Sequence, residues 1–206
     1  YRLWVEHPKF LPDEIAARIN WRAGEDRGRI WRITSANESV RRDLRLADST
    51  DDLIGLLSAP SAWCQTLGQR LLVERQDPST VSKLRELAQN DTSAPEARIR
   101  ALSTLDGLGA VRWNDLAPAL RSSASELQRT AVRLLGRVPD RPTPAMAPEL
   151  REPLFELIEN SSPQVRFQLA LTCGELDDPQ VFAYLGRLAL GDGTDPWMSR
   201  AIVASL

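Results

Sequence analysis

The run PEARIRALSTLDGL, residues 95–108, decides how this chain folds, because its pattern returns as SELQRTAVRLLGRV at 125–138 and PQVRFQLALTCGEL at 163–176. Placing Pro95 on Pro163 aligns Arg98 with Arg166, Ala101 with Leu169, Leu105 with Cys173 and Leu108 with Leu176. Apolar side chains spaced three or four apart lay one buried stripe along each helix. An opening proline suits a helix start, where its missing N–H would have no partner inside the helix. Ser93, Ser123 and Ser161 precede these openings and are expected to cap the first turns.

Outward from that run, Pro60, Pro95, Ser125, Pro163 and Pro196 recur at intervals of 30 to 38 residues, the range of helical-hairpin repeats. A second helical run precedes each mark or follows the last linker, at 51–58, 79–90, 114–123, 149–160 and 179–190. The linkers RQDP, RVPDRPTP and LDDP break helices through proline and aspartate. One such pair cannot bury its apolar face alone, and stacked neighbours supply a continuous core. The expected fold is all-α: an α-solenoid of about five helical hairpins over residues 49–206, with a short extended segment in residues 1–48.

Composition narrows the chemistry. An apolar share of 42% is ample for a packed core, and a net charge of -2 argues against a general polyanion binder. Lys9 and Lys83 are the only lysines among 26 basic residues, an arginine bias read as coding composition. The two cysteines, Cys64 and Cys173, lie far apart inside apolar helical patterns and are expected to be buried free thiols. His7 is the only histidine, so a Ser-His-Asp or Cys-His device would rest on it alone. No apolar run is long enough to span a bilayer, and no signal peptide opens the chain. The start at Tyr1, without Met, is expected of a piece of a longer protein.

The repeats resemble HEAT repeats, whose second helix opens with a proline, a small or β-branched residue and an arginine, as in Pro95-Glu96-Ala97-Arg98 and Pro163-Gln164-Val165-Arg166. The resemblance implies a ladder in which an Asp or Asn at the inter-helix turn pairs with such an arginine of a neighbouring repeat. Asp91 and Asn160 match the turn position, and Arg98 and Arg166 match the arginine. The third repeat reads Leu127-Gln128-Arg129, so its ladder partner is displaced or absent. The tetratricopeptide pattern appears in none of the repeats.

A wider resemblance comes from Trp63 to Arg75 (WCQTLGQRLLVER), Ala101 to Ala110 (ALSTLDGLGA), and an amino-terminal stretch with Glu6-His7-Pro8, Pro12-Asp13-Glu14 and Arg22-Ala23-Gly24 through Gly28–Ile33. These resemble large bacterial PVC-type haem-binding proteins, in which a sorbosone-dehydrogenase-like β-propeller leads into a HEAT-like region and then a c-type cytochrome domain. Cys64 and Gln65 stand where that family has Trp and Arg, and this chain has no Cys-x-x-Cys-His. The resemblance implies haem c, and a PQQ quinone with calcium, in the parent protein, and no cofactor in this chain itself. It also implies an extracytoplasmic location. Residues 1–48 would be the end of the propeller. Within them WRAGEDRGRIWRI, residues 21–33, reads as a turn and a last strand, since its glycines precede the strand and it lacks a phosphate-loop lysine. Residues 28–34 are then expected to pair with Tyr1–Val5 or to mediate a dimer.

Three functions follow as expectations. The first is a non-catalytic interaction or spacer module whose partners are proteins or neighbouring domains of the same polypeptide, with Trp63, Asp106 and Arg129 as candidate partner-facing residues and the other tryptophans assigned to core and inter-repeat packing. The second is a fragment of a quinoprotein-type sugar or alcohol dehydrogenase, with His7 the one available base. The third is nucleic-acid binding through the arginines between Arg18 and Arg45, which the interleaved Glu25, Asp26 and Asp43 oppose. The first is preferred, with no nucleic-acid partner and no catalytic residue in this chain.

Overall fold

The computed structural model describes residues 8–24, 49–138 and 148–206. The chain divides into two compact segments, Tyr1–Arg45 and Leu46–Leu206. In the first, a 3-10 turn at Pro8–Phe10 precedes α1, Asp13–Ala16. The Trp21 indole N–H donates to the Ala16 carbonyl at 3.0 Å, and residues 21–24 form a turn. His7, the strand expected at 28–34 and its proposed mate Tyr1–Val5 lie outside the described residues, and no strand occurs among the residues described.

The second segment is an α-solenoid of five helical pairs. They are α2 (Thr50–Leu56) with α3 (Ala62–Arg75), α4 (Val81–Gln89) with α5 (Pro95–Gly107), and α6 (Trp113–Leu120) with α7 (Ser125–Leu135). The last two are α8 (Pro148–Asn160) with α9 (Pro163–Cys173), and α10 (Val181–Asp192) with α11 (Pro196–Ala204). Two layers result. The second helices α3, α5, α7, α9 and α11 pack in succession, and the first helices α4, α6, α8 and α10 form a parallel row.

The helix starts follow from local chemistry, although not always at the expected residue. The Ser49 hydroxyl accepts from the Asp52 N–H at 3.1 Å while the Asp52 carboxylate accepts from the Ser49 N–H at 3.2 Å, a reciprocal box. The carboxylate also accepts from the Ser49 hydroxyl at 2.7 Å, and this bond, with the Ser49 N–H second to it, holds the Asp52 pKa below the usual carboxylate value. Asp195 caps α11 by accepting from the N–H groups of Trp197 and Met198. The expected caps Ser93, Ser123 and Ser161 fall one position early. The N-cap positions are Ala94, Ala124 and Ser162, and of these only Ser162 supplies a side-chain acceptor, to the Val165 N–H at 3.4 Å. Proline at the first position of α5 sets the helical backbone by itself, so that start forms without a hydroxyl.

One apolar core runs the length of the stack, from Leu53 and Leu72 through Leu102, Leu134 and Leu154 to Ile202. Ala101, Leu105, Leu169 and Cys173 are buried, as the aligned stripe requires, and Leu108 and Leu176 are half-buried at its ends. At the crossing of α2 and α3 the packing is close enough to need glycine. A Cβ on Gly68 would stand 2.8 Å from the Leu53 carbonyl oxygen. Adding that carbon would push the helices apart and open the first pair's core.

Candidate protein-interaction site

Ion pairs and hydrogen bonds tie each helical pair to the next. Lys83 reaches Asp51 at 2.5 Å, and the Arg100 guanidinium donates to Gln69 at 2.7 Å. Between the second and third pairs, the Arg85 Nε–H donates to both oxygens of Asp115 at 3.1 Å, and its NH2 donates to the Ala110 carbonyl at 2.7 Å. Asp115 is buried, and its carboxylate also accepts from the Arg112 N–H at the start of α6. Arg187 pairs with Glu159 at 2.7 Å and lies 4.4 Å over the Phe155 ring. Of these ion pairs only Arg85–Asp115 is largely buried, and Lys83–Asp51 and Arg187–Glu159 stand about half exposed, where an ion pair adds little stability.

The expected ladder residues divide. Arg166 makes a two-point contact with Asp192, Nε to Oδ2 at 2.5 Å and NH2 to Oδ1 at 2.9 Å, and so joins the fourth pair to the fifth. Its NH1 donates to the Ser161 carbonyl. The contact holds the Asp192 carboxyl below its usual pKa. Arg98 instead turns back into its own pair. It meets Asp91 at 2.8 Å and donates from Nε to the Ala88 carbonyl at 2.9 Å. The Asp91–Arg98 contact is therefore within one repeat, not between neighbours, and α6 packs chiefly on α4, α7 and α8. Asn160 is the last residue of α8, and its side chain lies outside the described residues. In the third repeat Arg129 pairs with Glu126 one turn away, at 2.6 Å. Arg85, Asp115 and Asp192, which complete the ladder, went unnamed in the sequence. The only trace was a carboxylate near the start of α6 and another at the end of α10.

A groove of about 650 Å³ crosses the second-helix layer at the last three pairs. Arg129 stands at one side, Phe167 and Gln168 line the middle, and Asp195, Trp197 and Met198 close the other side. Trp197 is 66% exposed, and the Arg200 guanidinium lies 5.2 Å from the centre of its ring. Assignment to packing therefore fails for Trp197, while Trp63 on α3, a partner-facing candidate, is 60% exposed. Of the three partner-facing candidates only Arg129 borders the groove. Asp106 is engaged by Arg137 of the next pair at 3.6 Å, and Trp63 stands alone on the first pair.

Reactive groups are sparse around this surface. Both cysteines are buried and free, and burial pushes the Cys173 thiol up to about 12, where no nucleophilic thiolate forms at neutral pH. Among the described residues no cluster of His, Cys, Asp and Glu could hold a metal ion, and no helix is long and apolar enough to cross a membrane.

Stacked helical pairs with a shared core and a pair-to-pair ladder define an α-solenoid repeat protein, a class consistent with protein interaction. Residues 113–206, the third to fifth pairs, match the family model for HEAT repeats. No curated protein matches the chain.

Proposed function

We propose that the solenoid is a non-catalytic interaction and spacer module of a larger extracytoplasmic redox protein, and that it docks the neighbouring propeller or cytochrome domain of the same polypeptide. The observation that carries this reading is the groove across α7, α9 and α11, where an exposed tryptophan stands beside a half-buried phenylalanine. Aromatic side chains in a concave, partly apolar setting are the residues that dominate protein interfaces. The redox setting rests on the segments Trp63–Arg75 and Ala101–Ala110, which resemble the haem-binding multidomain proteins described above. The haem and quinone chemistry of such a parent belongs to its other domains.

The test is binding without turnover. The 206-residue chain is immobilised and challenged with separately produced propeller and cytochrome domains of the parent class. Association is expected with at least one of them, and Trp197→Ala is expected to weaken it by about 2 kcal/mol, roughly thirtyfold. Failure of both domains to bind a properly folded chain reduces the role to that of a spacer. Dye-linked sugar oxidation by this chain alone, with quinone and calcium added, would overturn the non-catalytic reading.

A further inference from the structure

The middle of the second-helix layer carries two adjacent strips of different character. Counted from the first residues of α5, α7 and α9, the fifth position holds Ile99, Arg129 and Phe167, and the ninth holds Ser103, Arg133 and Leu171. Residues four apart share one face of a helix. Helix α7 therefore presents Arg129 and Arg133, and α9, packed directly against it, presents Phe167 and Leu171. Helix α5 flanks α7 and α11 flanks α9, so neither strip lies at an end of the stack.

The arginines of this face differ in what they hold. Arg129 pairs with Glu126 on its own helix, and Arg137, just past the end of α7, pairs with Asp106 at 3.6 Å. Arg133 stands between them in the chain and is exposed. Among the described residues its guanidinium has neither an ion-pair nor a hydrogen-bond partner. On the adjoining helix Phe167 is half-buried and Leu171 is 39% exposed, an apolar pair that the core does not close over.

We infer that these strips receive an acidic amphipathic helix of the docking partner, whose apolar side chains lie on Phe167 and Leu171 and whose carboxylate meets Arg133. The inference rests on the reading of this layer as the docking surface, and it specifies the partner's chemistry. Apolar side chains one turn apart on a helix take a partner helix with the same spacing. The sign of the charge then selects the occupant. A guanidinium holds a carboxylate at two points, whereas a basic segment would set like charge on Arg129 and Arg133. An uncharged apolar helix would bury Arg133 without an anion. A nucleic acid would bring phosphates to Arg133 but also toward Glu126, Asp106 and Glu175 of the same layer, and a net charge of -2 offers it no general attraction.

Fluorescence anisotropy with the 206-residue chain tests this. The labelled probes are a peptide of about 20 residues with leucines three and four apart and glutamates beside them, its lysine counterpart, and a single-stranded RNA. The glutamate peptide is expected to bind about tenfold or more tightly than either of the others. Arg133→Glu is expected to weaken that binding about tenfold and to strengthen binding of the lysine peptide, a reversal that a misfolded chain would not show. Arg75→Glu, the same charge change at the exposed end of α3, is expected to leave both peptides unaffected, which separates the strip from net charge. Leu171→Ser is expected to weaken the glutamate peptide about threefold while the helical circular dichroism stays unchanged. A glutamate peptide held no better than the lysine peptide overturns the inference, and so does an equal loss from Arg133→Glu and Arg75→Glu. Tightest binding of the RNA overturns it as well and assigns the arginines to phosphate. The docking reading is judged separately, with the propeller and cytochrome domains. Domain binding that Trp197→Ala weakens and Arg133→Glu does not keeps the groove and removes the acidic helix. Selective binding of the glutamate peptide that depends on Arg133, with no binding of either domain, keeps the acidic helix and removes those domains as its source.

Discussion

Arg98 and Arg166 occupy the same register of the same repeated run, yet the first is a buried brace within one helical pair and the second a strut between two. Arg98 is almost wholly enclosed, with its Nε–H on the Ala88 carbonyl at the end of α4 and one guanidinium nitrogen, NH2, without a protein partner. Arg166 is partly open and spends its guanidinium on Asp192, the last residue of the following pair's first helix. What separates them is what the next pair brings. Helix α10 packs against α9 and ends in a carboxylate, whereas α6 ends at Leu120 beside Arg121 and packs on other helices. A repeated arginine is thus a reach of fixed length, and its partner is decided by the neighbour's geometry.

The comparison can be broken most strongly at Arg98. Arg98→Ala strips a donor from a helix-terminal carbonyl and empties the space its stem fills, and should destabilise the chain by about 2 to 3 kcal/mol. Arg98→Met keeps most of the volume and removes a partly unsatisfied buried charge, so its cost should be about 1 kcal/mol or less. Urea denaturation followed by helical circular dichroism measures both. Equal losses for the two variants would mean that the hydrogen bond to Ala88 carries the whole effect and that packing of the stem carries none.

The same contrast marks how far the sequence could be read. The boundaries of the helical pairs were legible because Pro95, Pro163 and Pro196 each stand at a helix start and because the stripe through Ala101, Leu105, Leu169 and Cys173 has helical spacing. The partner of Arg166 was not legible, since Asp192 lies 26 residues away and meets it only after the fourth and fifth pairs stack. Arg85 and Asp115, 30 residues apart, pose the same difficulty. Trp197 misled for a related reason. Its place at a helix start looks like a packing position, but the layer of second helices leaves that turn open to the groove. Only Arg129 of the three partner-facing candidates could be tied to that groove, because a surface shared by α7, α9 and α11 has no local pattern.

A change at Asp192 sharpens the other half of the comparison. Asp192→Asn keeps the shape and removes the charge that Arg166 grips at two points, and should cost about 1 to 2 kcal/mol at pH 7. Arg166 hydrogen bonding depresses the Asp192 pKa in the folded chain. A depressed carboxylate contributes stability that is fully present above its unfolded value of about 3.9 and lost as pH falls through the folded value. The gap between wild type and variant should therefore be constant from pH 7 to about 5 and close below about pH 4. A gap that widened toward low pH would reverse the sign of this linkage and remove the charge from the account.

The smallest effect belongs to Asp91→Asn. Asp91 meets Arg98 at 2.8 Å, between the 2.5 and 2.9 Å contacts at Asp192, but the Asp91 side chain is 82% exposed and water competes for it. An exposed carboxylate on a buried arginine gains little, so the expected loss is about 0.5 kcal/mol or less, and it should fall further in about 1 M salt. Arg98 keeps its bond to Ala88 in this variant, which separates the brace from the ion pair. A loss as large as that of Arg98→Ala would mean that the carboxylate positions the arginine, and the internal brace would then depend on its exposed partner as the strut at Arg166 depends on Asp192.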